Sequence, residues 1–272
     1  MSDVSSLAQF ISDHPRLTVL SGAGISTASG IPEYRDDNGE WKHARPIQFP
    51  DFMRSERTRR RYWARSYSGW SRMSGAEPNT AHKALAALES SGLITQLITQ
   101  NVDNLHRGAG SQNVIDLHGV LHKVRCMDCD QRLPRDALQE ELERLNPAWA
   151  ATVTGTAPDG DAHIVEDTDG FNVPPCPACG GVLKPDVVFF GESVPRERVE
   201  RARQGLSEST ALLVVGSSLM VYSGFRFARQ AAEQGKPIAI LNRGRTRADD
   251  LATVKVTEDC GAALEALVDQ CA

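Results

Sequence analysis

Apolar and polar positions along this chain fall into alternating strand-length and helix-length blocks. Leu17, Thr18, Val19 and Leu20 are mostly apolar and half β-branched, the pattern of a short buried strand. Comparable runs recur at 93–99, 114–117, 186–190, 211–215, 237–241 and 253–256. Between most of them lie stretches with helical spacing, at 4–12, 55–70, 195–206, 222–234 and 261–271. Pro78-Asn79-Thr80 opens a further helix, with Ala81, Ala84, Leu85 and Leu88 on one face and an end near Gly92. In the last helix Leu264, Leu267, Val268 and Cys271 form one stripe that reads as core. Alternating strands and helices predict an α/β fold, a parallel sheet with helices on both faces. A loop over 31–52, rich in Pro and aromatic residues, is long for a compact domain and is expected to act as a functional cover.

Composition narrows the function classes. With 272 residues, 40% hydrophobic and 24% charged, the chain suits a soluble globular protein of one large domain, or one large and one small. A net charge of −5 argues against a broad nucleic-acid surface. No apolar run approaches the ~20 residues of a membrane span. The first 16 residues resemble neither a secretory signal nor an Arg-rich transit peptide. The expected compartment is the cytoplasm, where six cysteines mean thiols or metal more often than disulfides.

Four of those cysteines carry a strong signal. Cys126-x-x-Cys129 and Cys176-x-x-Cys179 stand 46 residues apart and supply four thiolates, the tetrahedral set of a structural zinc ion. With every position filled there is no open site for water, so the metal is assigned to folding. Gly180-Gly181 permits a tight turn beside the second pair. Between the pairs lie a short helix (134–145) and an acidic loop (159–169) that lacks ordered calcium-ligand spacing and reads as solvated. Cys260 and Cys271 have no such partner and are not read as ligands.

The first strand runs into Ser21-Gly22-Ala23-Gly24, and 25–29 reads as the first turns of a helix. Glycines there allow close approach of a ligand, and a helix N-terminus favours an anion, so the stretch reads as a nucleotide-phosphate cradle. A tight turn without ligand is the plain alternative. The dinucleotide fingerprint of dehydrogenases is incomplete: Thr27 stands where a third Gly belongs, and Pro32, Trp41, Pro46 and Pro50 replace the second strand with its acid. Three other strand ends are polar, at 100–103, 216–218 and 242–244, and in an open parallel sheet all should face one crevice. His118, before Gly119, is a candidate general base.

Together, SGAGIS (21–26), SGIPEYR (29–35), TQNVDNLH (99–106), DLHG (116–119), the two cysteine pairs, LKPDVVFFGE (183–192), VVGSSLMV (214–221) and ILN (240–242) resemble the sirtuin family of NAD-dependent protein deacylases. The resemblance runs in order from about residue 17 to 260. RPIQFPDF (45–52), RYWARSYSGW (61–70), LNPAW (145–149), APDGD (157–161) and VYSGFRFA (221–228) are most similar to its class II branch, and the absence of a transit peptide points to a bacterial-type member. The resemblance implies a Rossmann-like NAD-binding unit over 1–120 and 183–272, with a zinc-binding unit inserted at 121–182 and a helical cover at about 36–75 that belongs to the smaller lobe.

It also implies roles. Gly22, Ala23 and Gly24 would hold the NAD pyrophosphate. Tyr34 and Arg35 would belong to a mobile loop over the nicotinamide ribose. Gln100, Asn101 and Asp103 would form the pocket from which nicotinamide is expelled, Asp103 bonding its carboxamide, with Asn101 and Asp103 catalytic. Ser26, Pro32 and Val102 would also belong to the NAD-binding set. Gly216, Ser217, Ser218, Asn242, Arg243, Gly244 and Cys260 would hold the adenosine half. His118 would deprotonate a ribose hydroxyl. An acylated lysine of a partner protein would add as a strand between Val188-Phe189-Phe190-Gly191-Glu192 and Met220-Val221. Ser21, Glu33 and Asn104 depart from the family's usual residues.

Acyl preference is read from a basic stretch that includes Tyr62 and Arg65, three apart and so on one helix face. The pair resembles the one with which the desuccinylase branch holds acidic acyl groups, and an Arg fork suits a carboxylate. A solvated helix face is the plain alternative. Expected products are free lysine, nicotinamide and O-acyl-ADP-ribose, from a monomer that binds neither nucleic acid nor membrane. Mono-ADP-ribosyl transfer from the same site and a zinc module that binds without turnover are the rival readings.

Overall fold

The computed structural model describes residues 3–42 and 46–271. Residues 43–45, in the expected cover, and the side chain of Cys271 lie outside what is described. Strand β1 (Leu17–Ser21) is buried at all five positions, as a central parallel strand with few polar residues must be. It pairs in parallel with β2 (Ile94–Thr99) on one side and β9 (Ala211–Val215) on the other. With β3 (Val114–Asp116), β10 (Ile238–Leu241) and β11 (Val254–Val256) the sheet order is β11-β10-β9-β1-β2-β3.

Side chains alternate across this sheet. Leu17 and Val19 join one core with α1 (Asp3–Asp13), α4 (Thr80–Ser90) and α9 (Cys260–Cys271). Leu20 and Ile98 join another with α7 (Arg196–Glu208) and α8 (Tyr222–Glu233). Helices therefore cover both faces, as the pattern predicts. Because every strand is parallel, the carboxyl ends of β1, β2, β9 and β10 open on one side. A short helix, α5 (Leu105–Gly108), follows β2 there.

A second lobe packs beside that edge. Helices α2 (Phe49–Arg54), α3 (Glu56–Ser74) and α6 (Arg135–Leu145) share a core with an antiparallel sheet. Its order is β5-β4-β8, built from β4 (Gly119–Cys126), β5 (Arg132–Pro134) and β8 (Leu183–Val187). Its sheet differs from the sequence reading. The strand expected at 186–190 lies at 183–187 and pairs with β4, so it belongs to this sheet and not to the parallel one. Pro185 sits in it without cost because β8 is an edge strand. Strand β4 was not expected at all: its register shifts between Gly119 and Val124, which breaks the period of two.

The acidic loop is not simply solvated. Strands β6 (Val153–Thr156) and β7 (Ala162–Ile164) form a hairpin, and Asp161 beside it is buried. The tip fits closely against Gly69 of α3, where any Cβ would strike the Gly160 carbonyl. Residues 25–29 are corrected too: the chain forms a 3-10 helix over Ala23–Ser29. Asn79 Nδ2 donates to the Ile25 carbonyl at 2.8 Å, taking the acceptor that an α-helical turn would use. Among the described residues no helix is long and apolar enough to cross a membrane.

Candidate active site

A cavity of about 990 Å³ lies at the carboxyl ends of the parallel strands, between the two lobes. Its floor is the crossing of two glycine turns. Gly24 N donates to the Gly216 carbonyl at 2.9 Å, and Gly22 N to that of Val215 at 3.2 Å. A Cβ on Gly22 would lie 2.7 Å from Ser217 Cβ, and one on Gly24 2.9 Å from the Gly216 carbonyl oxygen. Gly216 itself has φ +58. Backbone is thus laid bare to the cavity at both turns, as contact with a pyrophosphate requires.

Beside the floor lies a polar network whose Ser26, Asn101 and Asp103 line the cavity. Ser26 Oγ donates to Asp103 Oδ2 at 2.7 Å and accepts from Asn101 Nδ2 at 2.9 Å. The Leu105 amide donates to Asp103 Oδ1 at 3.0 Å. Burial raises the Asp103 carboxyl above its ordinary range, and these donors pull it back. His82 and His106 back the network: His82 Nε2 lies 3.4 Å from Ser26 Oγ, and His106 Nε2 lies 2.8 Å from Ser21 Oγ. Burial lowers the pKa of both imidazoles, His82 to about 4. Sequence reasoning missed the two histidines, since nothing local separates a buried histidine under a site from an ordinary one.

His118 stands at the opposite wall. Its Nδ1 lies 2.9 Å from the Gln100 carbonyl, and Nε2 lies 2.8 Å from Ser223 Oγ. A carbonyl only accepts, so Nδ1 carries the proton and Nε2 the lone pair. Burial depresses the ring's pKa to about 4, with Arg198 and Arg226 adding to the shift. The imidazole is therefore neutral at pH 7 and ready to act as a base. The chain leaves His118 sharply: Gly119 has φ +85, and the Val188 amide donates to the His118 carbonyl at 2.7 Å. That bond ties the base to the segment 188–192.

The cover folds over the cavity. Tyr34, Trp41 and Phe190 meet edge to face at centroid separations of 5.8–6.2 Å. The Arg35 guanidinium lies 4.2 Å from the Trp41 ring centroid. On the other side, Asn242 Nδ2 donates to the Gly244 carbonyl at 3.0 Å and Arg243 pairs with Asp259 at 2.8 Å. Burial pushes the Cys260 thiol up to about 12, so it faces the cavity as a neutral group.

Nearly every residue named from the sequence lines this one cavity, from Gly22 through Cys260, with Val188 to Glu192, Met220 and Val221 among them. Pro32 and Arg65 do not. Arg65 is engaged elsewhere: Nε donates to the Ala162 carbonyl at 3.0 Å and Nη2 lies 3.5 Å from Asp161 Oδ2. Tyr62 is buried against Phe52 and Phe189 and reaches the cavity wall without it. Pro158, Asp159 and Asp161 line the same end and were missed. Ala157-Pro158-Asp159-Gly160 is a turn signature that could have revealed the hairpin.

The four cysteines gather away from the cavity, with their sulfurs all within 4.8 Å of one another. Cys126 and Cys179 are 3.5 Å apart, Cys129 and Cys176 3.8 Å. Zinc–sulfur bonds of about 2.3 Å in a tetrahedron need sulfurs about 3.8 Å apart, so the set fits one zinc ion. The Asp128 amide points at Cys126 Sγ from 3.4 Å, the kind of support a metal thiolate receives. The fold is a Rossmann-like parallel sheet joined to a lobe with one four-thiol metal site.

The glycine turns at β1, the buried neutral His118 and the four-cysteine lobe lie on the fold that the motifs resemble. The chain belongs to the Sir2 family, whose model matches residues 22–223. It is 61% identical over 259 residues, 95% of this chain and 88% of the relative, to the "NAD-dependent protein deacetylase" of Xanthomonas campestris pv. campestris (strain 8004). The "NAD-dependent protein lipoamidase sirtuin-4, mitochondrial" of Bos taurus is 50% identical over 262 residues, covering 95% of this chain and 83% of that one. The solved structure "Sir2-p53 peptide-NAD+" superposes with a TM-score of 0.80 at 28% identity, covering 98% of each chain.

Proposed function

We propose that this chain is an NAD-dependent protein-lysine deacylase, active on acetyl-lysine, that releases free lysine, nicotinamide and O-acyl-ADP-ribose. The observation that carries the reading is His118: a neutral base with a fixed tautomer, in the same cavity as the Gly22–Gly24 cradle and the Asn101–Asp103 pair. The relatives named as NAD-dependent protein deacetylases support it.

NAD, when bound, supplies a ribose carbon made electrophilic as nicotinamide leaves. The residues of the chain do the rest. Gly22, Ala23 and Gly24 receive the pyrophosphate on bare backbone. Asn101 and Asp103, held by Ser26, fix the nicotinamide carboxamide and present dipoles where positive charge grows on the ribose. Tyr34, Trp41 and Phe190 exclude water above it. Gly216 to Ser218 and Asn242 to Gly244 take the adenosine half. His118 Nε2 is the base that drives deprotonation of a ribose hydroxyl. The acylated chain enters as a strand between 188–192 and 220–221. Four thiols held for one metal suit a reducing compartment, and we place the chain in the cytoplasm.

Mass spectrometry of acetyl-lysine peptide incubated with NAD and the protein, beside His118→Ala, tests the reading. Free lysine with O-acetyl-ADP-ribose, lost in the variant, is the expected result. Nicotinamide release with ADP-ribose retained on protein would replace it with ADP-ribosyl transfer.

A further inference from the structure

We propose that Ser223 is a proton relay between the substrate's ribose hydroxyl and His118. The inference rests on the deacylase reading and deepens it. A neutral imidazole has one lone pair, and here it sits on Nε2, because Nδ1–H donates to the Gln100 carbonyl at 2.9 Å. Ser223 Oγ lies 2.8 Å from Nε2, so its hydroxyl donates into that lone pair. The only basic atom of the ring is thus engaged by a hydroxyl. That hydroxyl has two lone pairs to spare and itself lines the cavity.

The placement is built. Ser223 lies in the first turn of α8, and Gly224 beside it packs directly on the Gln100 side chain, where any Cβ would collide. Gln100 is held in turn by its Nε2, which donates to Ser217 Oγ at 2.7 Å. One residue therefore fixes both partners: its carbonyl orients His118, and its side chain seats the turn that carries Ser223. Arg198 and Arg226 both disfavour a positive charge on the ring. A hydroxyl that can donate to Nε2 before transfer and accept from Nε2–H afterwards offsets part of that cost.

In the step, the ribose hydroxyl loses its proton to Ser223 Oγ as its oxygen forms the bond to the acyl-derived carbon, whose π bond to the lysine nitrogen opens with the electron pair going to that nitrogen. Ser223 passes its own hydrogen to Nε2 in the same motion. Ser223 ends as a hydroxyl again and His118 as an imidazolium, so no other reactant is needed. Expulsion of nicotinamide comes before this step and does not require the base.

The test compares Ser223→Thr with Ser223→Val, an isosteric pair that differs by the hydroxyl, and adds Ser223→Ala. Two rates are read on acetyl-lysine peptide: deacylation, and exchange of isotopically labelled nicotinamide into NAD, with wild type and His118→Ala beside them. The expected result is a fall in the ratio of deacylation to exchange, on the order of 10²-fold for Val and Ala, with Thr near wild type. An unchanged ratio in Val and Ala overturns the relay and makes Ser223 a bystander displaced on binding. A parallel loss of both rates in all three variants overturns it in favour of a structural role. A wild-type protein that does not deacylate, or a His118→Ala variant that still does, overturns the function reading first and the relay with it.

Discussion

Asp161 Oδ2 lies 3.5 Å from Arg65 Nη2 where the hairpin meets the cavity, and both side chains are largely buried, 6% and 16% exposed. The second carboxylate oxygen, Oδ1, has no partner among the described residues. A guanidinium that would have suited an acidic acyl group is therefore already committed to a carboxylate of the chain itself. Two acids, Asp159 and Asp161, face the cavity at that end while Arg65 does not. Replacement of Asp161 by Asn should loosen the guanidinium and, at pH values where Asp161 is ionised, ease the repulsion of a carboxylate-tipped chain. The expected outcome is a higher ratio of succinyl- to acetyl-peptide turnover in Asp161→Asn than in wild type, read from kcat/KM on matched peptides. An unchanged ratio would place the acyl terminus elsewhere.

The same pair makes a stability prediction. At pH values where Asp161 is ionised, removal of Arg65 leaves a buried carboxylate without its cation, and breaking such pairs costs about 3 kcal/mol. Arg65→Met should lower the urea midpoint accordingly, and Arg65→Met with Asp161→Asn should recover much of the loss. Burial, and after it Asp159, holds the Asp161 carboxyl well above the ordinary carboxylate range, with Arg65 and Arg61 acting against them. A folded pKa above the unfolded one means that the native state holds the extra proton between the two values. Stability then falls as pH rises from about 4 through that window, and flattens once the folded carboxyl has ionised. Asp161→Asn should remove that slope in a series of urea titrations across pH.

The parallel sheet was legible in the chain because it is made of short apolar runs with nothing else they could form: β1, β2, β9, β10 and β11 all lie where the pattern puts them. The four-cysteine cluster was legible because a metal needs particular ligands at a particular spacing, and the shared crevice of the glycine turns because parallel strands end on one side. The antiparallel lobe was not. A register shift blurs the period in β4, and the hairpin over Asp161 hides behind an acidic composition. Ser223, His82 and His106 owe their importance to partners 105, 56 and 85 positions away, which no local pattern carries. Arg65 shows the reverse case: helical spacing placed it correctly beside Tyr62, but its partner comes from the hairpin.

In the reaction proposed here the state of His118 sets the acid limb. A base must be neutral to act, and burial brings its pKa down to about 4. The rate of deacylation under saturating conditions should stay level through the neutral range and fall only as pH drops toward 4. A limb near 6.5, the ordinary histidine value, would mean that the ring is solvated in the working enzyme. Profiles of kcat against pH, with stability followed at each point, distinguish the two.

Metal removal should separate folding from chemistry. The four sulfurs anchor the ends of the segments that carry β4, β5 and β8, and the segment 188–192 follows directly from β8. Without the metal, the loss of its binding free energy and of the bonds that tie the four sulfurs together should unfold the antiparallel lobe. Treatment with a chelator, or Cys126→Ser, should lower the melting temperature and abolish deacylation together, with one equivalent of zinc released. Retention of activity after complete loss of zinc would assign the metal a lesser role.

The last prediction concerns the cradle. A methyl group on Gly24 would stand 2.9 Å from the Gly216 carbonyl oxygen and 3.1 Å from its Cα, and both are backbone atoms that cannot swing aside. The turn must widen to admit it. Overpacking of this kind costs about 1–3 kcal/mol, and Gly24→Ala should be destabilised by that amount. Binding should suffer more than folding, because the widened turn moves the amides that are to meet the pyrophosphate. Gly24→Ala should therefore raise the KM for NAD well beyond any change in the KM for peptide. Calorimetric titration with ADP-ribose, which carries the pyrophosphate without nicotinamide, should show the same weakening. Equal losses for peptide and NAD would mean that the substitution acts on the lobe arrangement as a whole and not on the cradle.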